Sequence, residues 1–367
     1  MELNEKERAV LDLIRANPYL SQQEMADALG MSRPSLANII SGLIKQGKIS
    51  GRAYILPEEK EIICIGGANI DRKFHLNEQT QLGTSNPASM SVSVGGVARN
   101  IGENLGRLNH HVRLLTVAGN DSDWDVIVRE SSSYMDVSDV GQLIGKSTGS
   151  YSAVLDPEGE LVIALANMEI YDFLTPDYLE EKSRIISNAS MIIIDLNCPK
   201  ESVDYIKNLA NQKGNPLVII PVSSPKMNRM PSDLKGVTWF ICNRDEAETY
   251  TGLSIDNEED WKKAVHELLA FGAENVVVTS GSKGIMAATA GGEPIRFPAV
   301  QNVHVEDVTG AGDAFVSGLL HGHLIGTPFE EKVRMGLLNA AKTLECSYTV
   351  RPDLTRDLLK KELEELQ

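Results

Sequence analysis

Asp307-Val308-Thr309-Gly310-Ala311-Gly312-Asp313 runs directly into the apolar segment Ala314-Phe315-Val316-Ser317-Gly318-Leu319-Leu320. Small residues let the backbone come close to an oxyanion, and the first turn of a helix offers unpaired N–H groups at the positive end of its dipole. Gly310, Ala311 and Gly312 are therefore a candidate anion hole. Asp313, just inside the helix, is placed to accept a proton from an attacking hydroxyl while metal and amides stabilise a transferred phosphoryl group. A tight turn followed by an acid in the first helical turn is the reading without a ligand.

Around that loop, apolar β-rich runs alternate with helical patterns. Residues 61–67 (EIICIGG) read as a buried strand ending in glycines, 100–108 as a helix and 112–119 as a strand. Further buried strands are expected at 191–196, 217–222, 239–243 and 276–280, with helical segments such as 258–271 between them. Such alternation predicts an α/β fold, a mainly parallel sheet with helices on both faces. Ligands in these sheets sit beyond the carboxyl ends of the strands. Residues 89–94 (SMSVSV) and part of 151–166, turning at Asp156-Pro157-Glu158-Gly159, alternate with period two instead. They predict a small antiparallel flap, a lid with strands around 72–94 and 150–168.

The first 57 residues read differently. They hold seven Lys/Arg against six Asp/Glu, a net +1, which leaves −17 on the other 310 residues of a chain whose total is −16. The shift marks a boundary near Pro57-Glu58-Glu59-Lys60, between a first domain at 1–57 and a second at 61–367. Ala9, Val10, Leu13 and Ile14 form one helical stripe, which Asn17-Pro18 ends. Ser21 with Glu24 makes a capping box for a second helix that runs to Gly30. Ser32 caps a third, with Pro34 in its first turn, burying Leu36, Ile39, Ile40, Leu43 and Ile44 before Gly47. Residues 48–56 then read as a hairpin turning at Ser50-Gly51. Three helices and a wing resemble the winged helix-turn-helix domains of bacterial regulators. In that geometry the third helix enters the major groove, which implies base contacts from Ser32, Arg33, Ser35 and Asn38, and a phosphate contact from Arg52. A net +1 is weak for a DNA reader, because phosphate contacts supply much of the affinity. A helical module serving dimer contacts stays open.

An apolar fraction of 42% beside 23% charged residues suits a chain with a real core. No run approaches the roughly 18 apolar residues of a membrane span, and the N-terminus has no apolar signal core; a cytoplasmic protein is expected. Cys64, Cys198, Cys242 and Cys346 lie far apart without a C-x-x-C pair and read as thiols, three of them in or beside apolar runs.

The whole DVTGAGD heptapeptide matches the C-terminal signature of the ribokinase-like (PfkB) carbohydrate kinases, and the resemblance extends over about residues 61–350. It implies Asp313 as catalytic base, Gly310, Ala311 and Gly312 as anion hole, and Asp307 near a monovalent-cation site that would hold potassium. Gly95-Gly96-Val97-Ala98-Arg99-Asn100 resembles the family's N-terminal glycine signature, implying substrate contacts from Gly95, Gly96 and Asn100. Asp71, in Gly66-Gly67-Ala68-Asn69-Ile70-Asp71, matches the acid that binds sugar hydroxyls, with Asn69 beside it. Asn243-Arg244-Asp245-Glu246 matches the family's N-x-x-E motif, implying a water-mediated magnesium contact at Glu246 and nucleotide contact at Asn243. On its own that tetrapeptide is an ordinary helix start. Thr279-Ser280-Gly281-Ser282-Lys283-Gly284 resembles a nucleotide-binding turn, implying ATP contacts from Thr279, Gly281 and Gly284, though a plain hairpin reads the same way. Asn339 falls where the family lines its adenine pocket.

Two positions depart from the pattern. Trp124 stands where the loop 119–124 usually ends in glycine, so a reshaped loop is expected; Ile220 stands before Pro221 where an acid is common. Within the family, Thr84-Ser85-Asn86-Pro87 with the strand leading into GGVARNIGENL, Ala166-Asn167-Met168 and Glu345-Cys346-Ser347-Tyr348-Thr349 are most similar to bacterial pseudouridine kinases. The amide of Asn167 offers a donor and an acceptor to a uracil-like ring, or simply forms a turn. The resemblance thus implies an ATP- and magnesium-using kinase of the pseudouridine 5′-hydroxyl, dimeric as the family is. Another nucleoside or sugar as substrate, and a transcription regulator using the kinase fold as sensor, stay open.

Overall fold

Three helices open the chain in the computed structural model, which describes residues 3–49 and 60–365. They are α1 (Glu5–Ala16), α2 (Gln22–Ala28) and α3 (Arg33–Lys45). Each starts at a side-chain cap: Asn4 with Glu7, Ser21 with Glu24, and Ser32 on the Ser35 amide. Their apolar faces close on one another through Val10, Ile14, Met25, Leu36, Ile40 and Leu43. Leu11 is buried where Leu13 was expected, and Ile44 turns outward. Of the expected wing, Lys48 and Ile49 are described; Arg52 lies outside the described residues. The chain divides into two units at Lys60/Glu61, and this helical unit is the first.

The second unit is built on an eight-stranded sheet in the order β14-β13-β12-β11-β10-β9-β1-β4. Its strands are β1 (Ile62–Ile65), β4 (Val112–Leu115), β9 (Met191–Asp195), β10 (Leu217–Ile220), β11 (Trp239–Asn243), β12 (Asn275–Thr279), β13 (Ile285–Thr289) and β14 (Ile295–Phe297). From β4 to β12 all neighbours are parallel; β13 and β14 add an antiparallel edge. Successive strand residues feed two cores. Ile63, Ile65, Ile192, Ile194 and Phe240 face one side; Ile62, Cys64, Ile193, Val218 and Trp239 face the other. Burial on both faces is why these strands read as unbroken apolar runs rather than alternations.

Helices α4 (Val97–Arg107), α5 (Ser122–Ser131), α11 (Ala311–Leu324) and α12 (Phe329–Leu344) contribute to the second core. The first core takes α6 (Pro176–Glu181), α7 (Ser183–Ser187), α8 (Lys200–Lys213), α9 (Arg244–Thr251) and α10 (Glu258–Ala270), while α13 (Arg356–Glu365) packs on α12. A separate four-stranded sheet joins β3 (Ala88–Gly95), β2 (Asn69–Leu76), β7 (Ser150–Leu155) and β8 (Leu161–Asn167) in that order; its outer pairs are antiparallel but β2 and β7 run parallel, so the lid is mixed rather than antiparallel as expected. Two short strands, β5 (Val117–Gly119) and β6 (Gly141–Leu143), pair with each other as a third sheet. The continuous strand expected over 112–119 is thus broken at Thr116, its second half leaving the main sheet.

The order of the strands locates the site. After β1 the chain places β4 on one side and β9 on the other, so the crevice where a ligand can enter opens beyond the carboxyl end of β1. Gly66 and Gly67 leave β1 there, and Asp195 ends β9 there.

Candidate active site

Asp195 organises the floor of that crevice. Its buried carboxylate accepts the Gly67 amide at 2.9 Å and the Ala98 amide at 3.0 Å, tying the β1 exit to the start of α4. A Cβ on Gly66, whose φ is +148°, would collide with the same carboxylate. Sequence reading missed this residue, although an acid closing the apolar run Met191-Ile192-Ile193-Ile194 was a visible signal.

Above the floor, Asn69 Nδ2 donates to Asp71 Oδ1 at 2.6 Å, and a Cβ on Gly95 would collide with Asp71 Oδ2. Gly95 thus gives way to the Asn69–Asp71 pair, whereas Gly96, with φ +104°, gives way to the Gly67–Ala68 backbone. Burial pushes the Asp71 carboxyl up to about 6, against the pull of Lys73, Asn69 and Arg99. One turn into α4, buried Asn100 donates from Nδ2 to Asp313 Oδ2 at 2.8 Å. Its own Oδ1 accepts from Arg99 Nη1 at 3.2 Å, and Arg99 is held by Glu103 and, at 3.0 Å, by Ser131 Oγ. That chain of contacts fixes which end of the Asn100 amide faces Asp313.

Asp313 lies in the first turn of α11. Burial raises its carboxyl to about 7; Asp195 and Asp71 add to the rise, and the Asn100 hydrogen bond and Arg99 oppose it. A carboxylate titrating near neutrality is tuned for proton transfer. The glycines before it have different reasons. Gly310 has φ +83°, and a Cβ there would strike the Thr349 carbonyl. A Cβ on Gly312 would meet nothing within 4 Å, so packing does not require a glycine there. The exposed backbone at Gly312 is free for a ligand to approach closely.

Beside this loop is a cavity of about 600 Å³, bordered by Thr279, Gly281, Gly284, Val308, Ala311 and Gly312. Residues 279–284 form the hairpin turn between β12 and β13, and Thr279, Gly281, Ser282 and Gly284 of that turn line the cavity. Asn243 and Glu246 cap α9 reciprocally: Asn243 Oδ1 accepts the Glu246 amide and Glu246 Oε2 accepts the Asn243 amide, both at 2.8 Å. Asn243 pairs across the sheet with Thr279, which brings the motif to the same strand ends. Burial raises the Glu246 carboxyl above its ordinary value.

Other expectations are displaced. Asn339 does not line the cavity; it is fully buried, donating to Asn104 Oδ1 and the Ala314 carbonyl and accepting from Arg351 Nε, while Ala340 and Ala341 reach the cavity wall. Asn167 ends exposed β8 at the level of Ser150 and Ile70, at the same end of the lid as Asp71. Asp307 is neutralised by the ammonium of Lys73 from β2, a partner that sequence reading did not include. Trp124 is buried, and Asp121 turns the loop into the start of α5 by accepting the Trp124 amide. Ile220 is buried beside Asp195. In the first unit, Ser32, Arg33, Ser35 and Asn38 are all exposed at the start of α3, with Ser32 engaged as the helix cap.

Residues 59–356 match the family described as pfkB family carbohydrate kinase. The chain belongs to this family. Residues 3–50 match a second family, described as winged helix-turn-helix DNA-binding, and the three helices of the first unit have that fold. The pfkB relatives include an uncharacterized sugar kinase, YeiI, of Escherichia coli K12, 28% identical over 97% of this chain and 98% of its own. A pseudouridine kinase of the same organism is 32% identical over 81% of this chain and 95% of its own. A carbohydrate kinase from Agrobacterium tumefaciens superposes with a TM-score of 0.74 at 30% identity, covering 83% of this chain and 97% of that one. The ribokinase-like fold is the one expected, and the protein is a pfkB kinase of the sugar and nucleoside class. Among the described residues no helix is long and apolar enough to cross a membrane, and no three His, Cys, Asp or Glu cluster as a metal cage.

Proposed function

We propose that this pfkB kinase transfers the γ-phosphoryl group of ATP to the 5′-hydroxyl of pseudouridine, giving pseudouridine 5′-phosphate and ADP. One observation carries the reading: a carboxyl tuned to about 7, held by Asn100 at 2.8 Å, stands beside glycine backbone left open for an anion. Asp71, Asn69 and the Gly95-Gly96 backbone hold the ribose hydroxyls. Asp313 takes the proton of the 5′-hydroxyl as that oxygen bonds to phosphorus and the β,γ-bridging P–O bond breaks. The amides of Gly310, Ala311 and Gly312 receive the developing charge. ATP lies in the 600 Å³ cavity against Thr279, Gly281 and Gly284, its phosphates directed toward Asn243. A hydrated magnesium ion needs only one or two carboxylates, which suits Glu246, and when bound it would neutralise phosphate charge.

Pseudouridine rather than another acceptor is favoured by the relative of that name at 32% identity. Thr349, the last residue of the Glu345–Thr349 stretch similar to pseudouridine kinases, also lies against Gly310 in the proposed anion-hole loop. Wild type and Asp313→Ala, given ATP, magnesium and potassium with a panel of nucleosides and sugars, should differ by orders of magnitude on pseudouridine, followed by product mass. Turnover of another compound would keep the kinase and discard the substrate. Equal turnover by the mutant would remove Asp313 as base.

The exposed face of α3 supports a second role, operator binding by the first unit, with Arg33, Ser35 and Asn38 on the bases. A homodimer belongs to the same reading, and the exposed Met90, Val92, Ile163 and Leu165 of the lid sheet support it. Gel shifts on the gene's own upstream DNA, with and without substrate, test it; no retardation at low salt in either state would discard it.

A further inference from the structure

The resemblance implied a monovalent cation at Asp307, and the residues present do not suit one. Asp307 Oδ1 already accepts the Thr309 amide at 2.9 Å and the Thr309 hydroxyl at 2.7 Å. Oδ2 accepts the Lys73 ammonium, which also lies 3.3 Å from Thr309 Oγ1. An ionised carboxylate has about four acceptor sites, so three of them are filled from within the protein and its charge is cancelled. A potassium ion approaching here would meet a neutralised pair and be repelled by the ammonium. Burial favours the protonated Asp307, but Lys73 and Thr309 outweigh it and hold the carboxyl below its ordinary value.

Lys73 reaches this position because of strand geometry. It follows Asp71 by two residues on β2, so both point to the same face, whereas Arg72 points away to Asp123 at 2.6 Å. One lid strand therefore delivers both the proposed substrate carboxylate and the counter-charge of the loop that carries the anion hole.

We propose that the Lys73 ammonium serves as the built-in cation of the Asp307–Asp313 loop, so that this kinase turns over without potassium. Lys73 is a positioning residue: it shapes the loop through Asp307 and Thr309 and touches neither reacting group. The inference rests on the kinase reading, and its test separates the two.

Wild type, Lys73→Met and Lys73→Arg are compared with KCl replaced by tetramethylammonium chloride at constant ionic strength, reading both kcat and Tm. Wild type and Lys73→Arg should keep kcat within about twofold and show no potassium-specific rise in Tm. Lys73→Met should lose about ten- to a hundredfold in tetramethylammonium, the effect of one charge-assisted hydrogen bond. KCl should restore part of that loss saturably and raise the Tm of this variant alone. A saturable potassium activation of wild type by about fivefold or more would overturn the proposal, as would a Lys73→Met enzyme as active as wild type in tetramethylammonium. If no compound is phosphorylated, the kinase reading fails, and the potassium dependence of Tm in wild type against Lys73→Met still decides the cation question.

Discussion

Removing the Asn100 amide tests how the base is tuned. Asp313 is pushed up by burial and by its acidic neighbours Asp195 and Asp71, and the hydrogen bond from Asn100 is the largest force opposing the rise. That bond is 2.8 Å long, and Asn100 is 3% exposed, so solvent cannot readily replace it. A hydrogen bond to a charged group is worth at least about 1.5 kcal/mol, and one pKa unit corresponds to about 1.4 kcal/mol. Asn100→Ala should therefore move the acid limb of kcat/KM from near 7 to roughly 8, upward because the neutral acid has gained relative stability. At about pH 6 the mutant should carry an extra loss of roughly tenfold, which shrinks to almost nothing by about pH 9, whatever constant loss substrate binding adds. The assay is kcat/KM across that range for both proteins on the substrate the panel identifies. Parallel curves with the same midpoint would refute the reasoning; Asn100 would then bind substrate without tuning the base.

Gly312→Ala should leave Tm unchanged or raise stability by about 0.5 kcal/mol, because the added methyl meets no protein atom and the helix gains a better former. Turnover should nonetheless fall by about a hundredfold if a phosphoryl oxygen closes on that amide, and activity within twofold of wild type would count against the anion hole. Away from the site, His110 and His321 face each other at 2.8 Å, and burial pushes both down to about 4. Their folded values lie below the ordinary one, so the unfolded chain takes up protons first and stability falls as the pH drops from about 6.5 toward 4. The loss is at most roughly 3 kcal/mol per histidine. His321→Gln should flatten the decline of Tm over that interval, and an unchanged slope would show that the pair does not govern acid sensitivity.

The parts that were legible share a cause. The central strands carry runs of three or four apolar residues because helices cover both faces; the lid strands, expected to be half-exposed, are instead exposed along residues 88–92 of β3 and along all of β8. The heptapeptide at Asp307 was legible because backbone approach, helix start and acid coincide within seven residues. What escaped was set by contacts between distant segments. Lys73 sits in Asp71-Arg72-Lys73, which looks like a solvated strand until the fold brings Asp307 across from 234 residues away. Asn339 falls where the family resemblance implies an adenine-pocket residue, but its amide completes the packing of α4, α11 and Arg351. The β13–β14 edge was missed because its strands are short, separated by Gly291-Gly292, and lie where one apolar run looks much like a helix turn.

The position of β1 in the sheet has a consequence for how the molecule is made. Its two neighbours are β4, about 50 residues later, and β9, about 130 residues later, while α11, with Asp313, packs on α4 from more than 200 residues away. The helical unit closes on contacts within its first 50 residues and can form as soon as it leaves the ribosome. The crevice at the end of β1 has no second wall until Met191–Asp195 is synthesised, and no Asp313 until nearly six-sevenths of the chain exists. During synthesis the protein therefore has a complete first unit long before it has any capacity for chemistry. A chain truncated anywhere between Lys60 and α11 would keep the former and lack the latter.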